Sequence, residues 1–273
     1  MSREYITSRQ NPTIKLVCSL LRKKEREDTG LFRFDGIKLL GEAIDKNVPI
    51  ECALVDEEKL SSFEERLSRV ERVIVVPTEL FDKMTDEKSP EGVITVAKAL
   101  DKIRKIATIN NMGQFSALPE ASERVLILES VRDPGNLGTV IRTAAALGID
   151  RLVVTSDCAD LYNPKTIRAA MGAIFTLAID VVGCDELVEY ISELRTGGRR
   201  VFAAALHSEA LTLGDFEVKY GDVFVIGNEG HGLTEATKNA CDACALIPMR
   251  EGSESLNAAM AAGIFMWETA RAK

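Results

Sequence analysis

Long apolar runs are missing from this sequence of 273 residues, and acidic residues outnumber basic ones. Because a helix needs about 20 consecutive apolar residues to cross a bilayer, and no run approaches that length, we expect no membrane span. Residues 1–4 lead into no apolar stretch of the kind that marks a secretory signal, so we expect a cytoplasmic protein. The formal net charge of −8 argues against a protein that coats nucleic acid without selectivity, since that role needs a basic surface.

Histidine and cysteine are too sparse to suggest a metal site. The two histidines, His207 and His231, lie far apart, and six scattered cysteines without a secretory signal predict no disulfide framework. Cys241 and Cys244 have the spacing of half a zinc site or of a redox pair, but no second pair completes a zinc site. We therefore expect both thiols to pack at a junction between a helix and a strand, with no metal bound.

Short apolar runs alternate with helical patterns along the whole chain, which predicts an α/β fold. The pattern lapses around residues 101–122, where Gly113 and Pro119 are among the turn formers. We therefore expect a smaller α/β domain over residues 1–105, a linker over 106–122 and a larger domain over 123–273. In the larger domain the predicted strands suggest a mostly parallel sheet with helices on both faces. These strands are 125–128, 152–155, 177–182, 201–205, 223–226 and 245–247.

The smaller domain opens with a helix whose start is marked by Asn11 as N-cap and Pro12 at the first helical position. Basic residues crowd its first 26 positions, which suits either a solvated helix face or a surface that binds phosphates. The charge pattern leaves both interpretations open. The residues concerned are Arg3, Arg9, Lys15, Arg22, Lys23, Lys24 and Arg26.

Polar residues and glycines follow predicted strands in three segments of the larger domain. The segments are 133–138 with the nearby Arg142, 227–233, and 247–257. Since ligands of open α/β sheets collect beyond the carboxyl ends of the strands, the three segments predict one shared pocket. The glycines of 227–232 run in the wrong order for a dinucleotide-binding loop, which disfavours a nucleotide-dependent oxidoreductase.

In order and spacing, these segments resemble the three motifs of the SpoU (TrmH-like) family of RNA ribose 2′-O-methyltransferases, members of the SPOUT superfamily. The resemblance extends over residues 125–271, and residues 6–12 and 34–36 resemble the substrate-binding domain often fused to this family. It implies S-adenosylmethionine as methyl donor, RNA as substrate with ribosomal RNA favoured over transfer RNA, a deep trefoil knot, and a homodimer formed through the knotted domain. We expect the final helix, over residues 256–270, to supply the dimer interface through apolar side chains. These are Leu256, Met260, Ile264, Phe265 and Trp267.

The same resemblance implies the site residues. The residues matching the family's catalytic positions are Asn136, Arg142, Glu229, Ser255 and Asn257, and those matching its cofactor-binding positions are Leu206, Gly227, Ile247 and Leu256. Because a guanidinium is too basic to act as a general base, we expect Arg142 to bind phosphate and to stabilise a developing alkoxide.

We expect Glu229 to orient Arg142 or Asn136, or to accept a proton; the alternative is an acid at the start of the helix after Thr234. Ser255 is expected to cap the last helix and Asn257 to hydrogen-bond within the cluster of loops. Two alternative functions remain open: a catalytically silent RNA-binding or ribosome-assembly factor, and a transfer RNA 2′-O-methyltransferase.

Overall fold

The computed structural model describes residues 2–107, 115–207, 209–250 and 255–272. By their contacts these residues divide into two compact units. Unit 1 comprises Met1–Asp101 with Asp160–Phe175, and unit 2 comprises Lys102–Ala159 with Thr176–Lys273. Each unit contains its own sheet and helices, which confirms the predicted α/β class. Within the described ranges, no helix has the length and apolar character needed to cross a membrane.

Unit 1 contains a mixed sheet with the strand order β1-β4-β3-β5-β2. Its strands are β1 (Ser2–Tyr5), β2 (Leu31–Asp35), β3 (Ile50–Asp56), β4 (Arg72–Val76) and β5 (Val93–Lys98). Its helices before residue 101 are α1 (Pro12–Ser19), α2 (Lys23–Thr29), α3 (Ile37–Asp45), α4 (Glu64–Leu67) and α5 (Thr78–Phe81), with a 3₁₀ helix at Glu57–Phe63. Strand β4 pairs in parallel with β1 and β3, whereas β5 pairs antiparallel with β2 and β3.

The first helix begins where the sequence predicts. The side chain of Asn11 accepts a hydrogen bond from the backbone N–H of Thr13 at 2.8 Å, and Pro12 occupies the first turn. Such a cap satisfies a backbone donor that has no partner within the helix. The helix buries Ile14 and Val17 in the core beneath it.

Unit 2 contains a sheet whose described strands all run parallel, in the order β11-β13-β10-β12-β7-β8-β9-β6. The strands are β6 (Ile103–Lys105), β7 (Val125–Leu128), β8 (Arg151–Thr155), β9 (Ala178–Val182), β10 (Val201–Ala204), β11 (Leu211–Thr212), β12 (Val223–Ile226) and β13 (Ala243–Leu246). The remaining helices of the chain are α6 (Pro134–Ala146), α7 (Pro164–Ala170), α8 (Leu187–Thr196), α9 (Glu235–Ala240) and α10 (Ala258–Arg271), with a 3₁₀ helix at Ala173–Phe175.

Strand β12 shows why helices cover both faces of this sheet. Its side chains alternate in direction, so that Val223 and Val225 join the core that contains Tyr190 of α8. Phe224 points the other way and packs on Phe265 of α10, with ring centroids 4.8 Å apart. Phe265 is only 1% exposed, so its predicted place in a dimer interface is wrong: it belongs to the core of its own unit.

The segment Asp160–Phe175 lies in unit 1, although the sequence prediction counted it with the larger domain. Its aromatic residues explain the difference, because Tyr162 packs on Phe32 with ring centroids 4.6 Å apart and Phe175 packs on Phe34 at 5.4 Å. The domain bounds at residues 105 and 122 stay a prediction, and residues 108–114 of that linker lie outside the described ranges. The trefoil knot also stays a prediction, since strand order does not specify how the chain is threaded.

Candidate active site

Three adjacent strands of unit 2 end at the residues expected to bind the cofactor. Strand β10 pairs in parallel with β12 on one side and with β13 on the other. Gly227 directly follows β12, Ile247 directly follows β13, and Leu206 lies two residues beyond β10. Because the strands are parallel, all three residues lie at the carboxyl edge of the sheet, where open α/β folds bind ligands.

Apolar side chains at this edge remain open to solvent. Leu206 is 60% exposed and Leu256, just before α10, is 41% exposed, while Ile247 is partly buried. Exposed leucines beside polar loops offer a surface on which the flat face of an adenine could pack. The chemistry of these apolar residues therefore fits the base of a nucleoside-type cofactor.

A hydrogen-bonded cluster joins three of the predicted catalytic residues. Asn136 donates through Nδ2 to Glu229 Oε1 at 3.0 Å, and Asn257 donates through Nδ2 to Asn136 Oδ1 at 3.0 Å. Asn136 is separated in the sequence from Glu229 by 93 positions and from Asn257 by 121. The fold therefore brings together one residue from each of the three predicted segments.

Helix caps hold the two asparagines in place. Asp133 caps α6 by accepting from the backbone N–H of Asn136 at 2.8 Å, which puts Asn136 in the first helical turn. Asn257 caps α10 by accepting from Ala259 N at 2.9 Å and from Met260 N at 3.3 Å. Each cap satisfies helix donors that would otherwise lack partners, so both asparagines of the cluster lie at capped helix starts.

Glu229 is held by backbone donors as well as by Asn136. Its Oε2 accepts from Arg132 N and its Oε1 from Asp133 N, each at 3.2 Å. Partial burial opposes ionisation, but the hydrogen bonds from Asn136 and from these backbone groups outweigh it and lower the pKa of the carboxyl. A carboxylate with a lowered pKa is a weaker base, which favours the orienting role over proton acceptance. Among the described residues it orients Asn136 and not Arg142.

Gly227 is required by the loop itself. A Cβ atom at this position would lie 2.3 Å from the carbonyl carbon of Gly232 and 2.5 Å from the nitrogen of Leu233. The loop is closed by two backbone hydrogen bonds between Asn228 and Gly232, both at 3.0 Å. The space that a side chain would need at position 227 is therefore occupied by the chain's own backbone.

Arg142 and Ser255 lie outside the hydrogen-bonded cluster. Arg142 is exposed on α6, and its side chain makes no hydrogen bond or ion pair with any residue in the described part of the chain. Its guanidinium therefore retains its donors for a ligand. Ser255 is also exposed, and the cap predicted for it is made by Asn257 two residues later, because α10 starts at Ala258.

Sequence reasoning missed Glu129, which is only 6% exposed at the end of β7. Its carboxylate accepts from the hydroxyls of Thr234 and Thr237 at 2.8 and 2.9 Å, and from Thr234 N at 3.1 Å. It is thus the acid at the start of α9, a role considered for Glu229. A glutamate that directly follows a buried apolar strand was the available signal. The thiol of Cys241 packs in the core beside this helix, and burial raises its pKa to about 12.

Comparison with known proteins adds to this geometry. The sequence model of the SpoU rRNA Methylase family matches residues 123–267, and that of the MRM3-like substrate binding domain matches residues 11–95. The chain is 31% identical over 267 residues to the 23S rRNA (guanosine(2553)-2′-O)-methyltransferase RlmP of Bacillus subtilis, covering 97% of this chain and 98% of that protein.

Two further similarities extend over nearly the whole chain. The 23S rRNA (uridine(2479)-2′-O)-methyltransferase of Streptomyces viridochromogenes is 29% identical over 276 residues, covering 97% of this chain and 91% of that protein. The crystal structure of an AdoMet-bound rRNA methyltransferase from Sinorhizobium meliloti superposes with a TM-score of 0.81 at 27% identity, covering 98% of each chain. The likeness in fold therefore includes both units.

Proposed function

We propose that this chain, which belongs to the SpoU rRNA methylase family, transfers a methyl group from S-adenosylmethionine to a ribose 2′-hydroxyl of ribosomal RNA. The observation that carries the proposal is the cluster of Asn136, Glu229 and Asn257 at the carboxyl edge of the parallel sheet. A protein that only binds RNA does not need such a cluster, so its presence disfavours the catalytically silent alternative.

The residues at this edge divide into two groups by their chemistry. When bound, S-adenosylmethionine supplies an electrophilic methyl group, and Leu206, Gly227, Ile247 and Leu256 are the residues we assign to holding it. Glu229 holds the side chain of Asn136 in one orientation. Both residues then present polar atoms in fixed positions beside the reacting hydroxyl. The exposed guanidinium of Arg142 binds the neighbouring phosphate and stabilises the negative charge that develops on the ribose oxygen.

The two named relatives are both named for methylation of a ribose. One of them is named for a guanosine and the other for a uridine, yet both are named for the 2′-oxygen of 23S rRNA. We therefore assign ribosomal RNA and the ribose to this chain, and leave the base open. Transfer RNA is the alternative substrate.

Ribose-methylation mapping of total RNA from cells with and without the gene tests this function. We expect one 2′-O-methyl group to disappear from ribosomal RNA when the gene is deleted. Loss of a methyl group from transfer RNA instead would select the alternative substrate. Unchanged methylation in both kinds of RNA would contradict the proposed activity.

Unit 1 supplies the surface that we assign to RNA binding. Four of its basic side chains near the start of the chain are exposed and form no ion pair with any other described residue: Arg9, Lys15, Lys23 and Lys24. Arg26, which the sequence prediction grouped with them, is instead buried, donating to Leu20 O at 2.6 Å and pairing with Asp160. It therefore supports the packing of unit 1 and offers no charge to RNA.

Replacing Lys23 and Lys24 together by glutamine should weaken RNA binding and flatten its salt dependence. Each neutralised phosphate contributes roughly −0.7 to −0.9 to the slope of log affinity against log salt, so we expect the slope to fall by about 1.5. Filter binding across a salt series with the full chain measures both quantities. The double variant of Lys46 and Lys83, two exposed lysines elsewhere in unit 1, is the control. Equal slopes in the two double variants would contradict the assignment.

A homodimer formed through α10 completes the proposal. Met260 and Trp267 are 63% and 54% exposed, and with the partly buried Ile264 between them they follow the i, i+4, i+7 spacing of one helix face. Exposed apolar side chains arranged in this way are typical of a surface that another chain covers.

Light scattering at micromolar concentration should therefore give twice the mass of one chain. The double variant Met260→Glu with Trp267→Glu should be monomeric, because four charges would be buried at a symmetric interface. Since both side chains are exposed, the fold of the single chain should persist. Val188→Glu, at an exposed position on α8, is the control and should remain dimeric. A monomeric wild-type enzyme with full activity would refute the dimer.

A further inference from the structure

The loop between β7 and α6 is held in place by hydrogen bonds before it reaches the cluster of Asn136, Glu229 and Asn257. Ser130 has a φ of 57°, in the left-handed region that residues other than glycine seldom adopt. Three hydrogen bonds hold it there: its N–H donates to Thr155 Oγ1 at 2.8 Å, its hydroxyl to Asp157 Oδ2 at 2.6 Å, and its carbonyl accepts from Asn228 Nδ2 at 2.7 Å. The next residue, Val131, is fully buried.

Arg132 follows directly and has its backbone in the catalytic cluster. Its N–H donates to Glu229, as described above, while its side chain is 66% exposed. Only one described contact is made by its guanidinium, from Nη2 to Asp157 Oδ2 at 3.1 Å. The other four guanidinium donors have no described partner. One side of the group is therefore anchored to Asp157, and the other side is open to a ligand.

Asp157 is well suited to hold this guanidinium. It comes from the turn after β8, and its carboxylate accepts from Thr155 Oγ1 at 2.7 Å in addition to Ser130. Partial burial opposes its charge, but hydrogen bonds from Ser130, Thr155, Cys184 and Arg132 hold its pKa well below the usual range for an aspartate. Asp157 is therefore ionised throughout the neutral range.

The loop needs a positive charge if it is to meet RNA. Three carboxylates lie in or against it, from Asp133, Asp157 and Glu229, and each would repel a phosphate. The ribose whose hydroxyl reacts carries a phosphate on either side. A cation that is anchored in this loop and open to solvent is the natural counterpart of one of them.

We propose that Arg132 is a second phosphate-binding residue for the RNA substrate, beside Arg142, and that Asp157 is the positioning residue that aims its guanidinium. This inference rests on the proposed function of the site. The competing interpretation is a surface ion pair that merely fastens the loop. The loop is already fastened by Ser130 and Val131, and an ion pair made by an exposed arginine adds little stability, so fastening does not require Arg132.

Three variants of the full chain test the proposal: Arg132→Gln, Asp157→Asn and their combination. The probe is the large ribosomal RNA of the source organism, transcribed in vitro. Loss of a charge-assisted phosphate contact should raise the Kd and the KM for RNA about tenfold in Arg132→Gln. It should also reduce the salt slope by about 0.7, with kcat and S-adenosylmethionine affinity nearly unchanged.

Asp157→Asn should have a smaller effect of the same kind, because the guanidinium then loses its anchor but keeps its charge. The combined variant should bind RNA no more weakly than Arg132→Gln alone, since Asp157 acts through Arg132. Arg132→Lys should recover part of the affinity and all of the slope. The control is Arg195→Gln, which breaks the exposed ion pair of Arg195 with Asp242 near the start of β13, at the opposite edge of the sheet.

A wild-type slope and Kd in Arg132→Gln would overturn the proposal, as would a fall in kcat alone. Additive effects of the two substitutions would show that Asp157 fastens the loop and would overturn its positioning role. Failure of the proposed function is a separate result. In that case wild type transfers no methyl group, while filter binding of the same RNA still tells whether Arg132 contacts phosphate.

Discussion

Replacing Arg142 by alanine should lower the single-turnover rate of methyl transfer by about 10²–10³, the usual cost of losing one donor to a developing oxyanion. S-adenosylmethionine affinity should stay nearly unchanged, because the exposed guanidinium makes no hydrogen bond or ion pair with the described residues at the cofactor edge. Because the side chain is exposed and has no hydrogen-bond or ion-pair partner among the described residues, the stability of the fold should be nearly unaffected. Transfer of a labelled methyl group under single-turnover conditions measures the rate, and titration calorimetry measures the affinity.

Two controls sharpen this experiment. Arg142→Lys keeps the charge but loses the planar fork of donors, so it should fall between wild type and alanine. Arg195→Ala removes a comparable exposed arginine at the other edge of the same sheet and should leave the rate unchanged. A rate for Arg142→Ala close to that of wild type would show that Arg142 is a solvated residue on α6 with no part in methyl transfer.

Replacing Gly227 by valine should abolish S-adenosylmethionine binding. The cause should be displacement of the loop, and not a direct clash between the valine side chain and the cofactor. Even the first added carbon would lie 2.3 Å from Gly232 C, so the backbone of the 227–233 loop must move. Overpacking of this kind costs about 3 kcal/mol when backbone and not a flexible side chain is in the way. We therefore expect a lower free energy of unfolding together with the loss of binding, measured by chemical denaturation and by titration calorimetry.

Gly230→Ala is the matched control within the same loop. A Cβ atom there would approach the side chain of Asn228 at 3.4 Å, which is an ordinary contact. Stability and binding should both stay near wild type. If Gly227→Val lost binding but kept full stability, the glycine would be meeting the cofactor directly, as the sequence alone suggested. If it kept both, the residue would have no part in the site.

The sheet of unit 2 was predictable because its central strands are apolar runs buried on both faces. The predicted strand at 125–128 and the observed β7 coincide, and so do 223–226 and β12. Strand β6 was missed because its three residues are mostly exposed and polar, and it forms only by pairing with β9 at the sheet edge. The aromatic contacts that draw Asp160–Phe175 into unit 1 are likewise long-range, and no local period predicts them.

At the site, the resemblance to a known family identified the candidate residues. Their spacing in the sequence does not by itself predict that they lie close together. Asn136, Glu229 and Asn257 meet only because the sheet brings three distant loops to one edge. Glu129 and Asp157 went unnoticed because they have partners distant in sequence: Thr234 and Thr237 for Glu129, and Ser130 and Arg132 for Asp157. The roles of these carboxylates depend on their burial and on their hydrogen-bond partners. Both are set only once the chain has folded.

The double use of Asn257 links the far end of the chain to the reaction. The amide that starts α10 through Ala259 and Met260 is also the one that holds Asn136. Fraying of the first turn of α10 would therefore break the contact between Asn257 and Asn136, so local opening of the terminal helix also disrupts the hydrogen-bonded cluster. The exchange rates of those two amide protons should then report on the fraction of molecules that are competent to react at any moment.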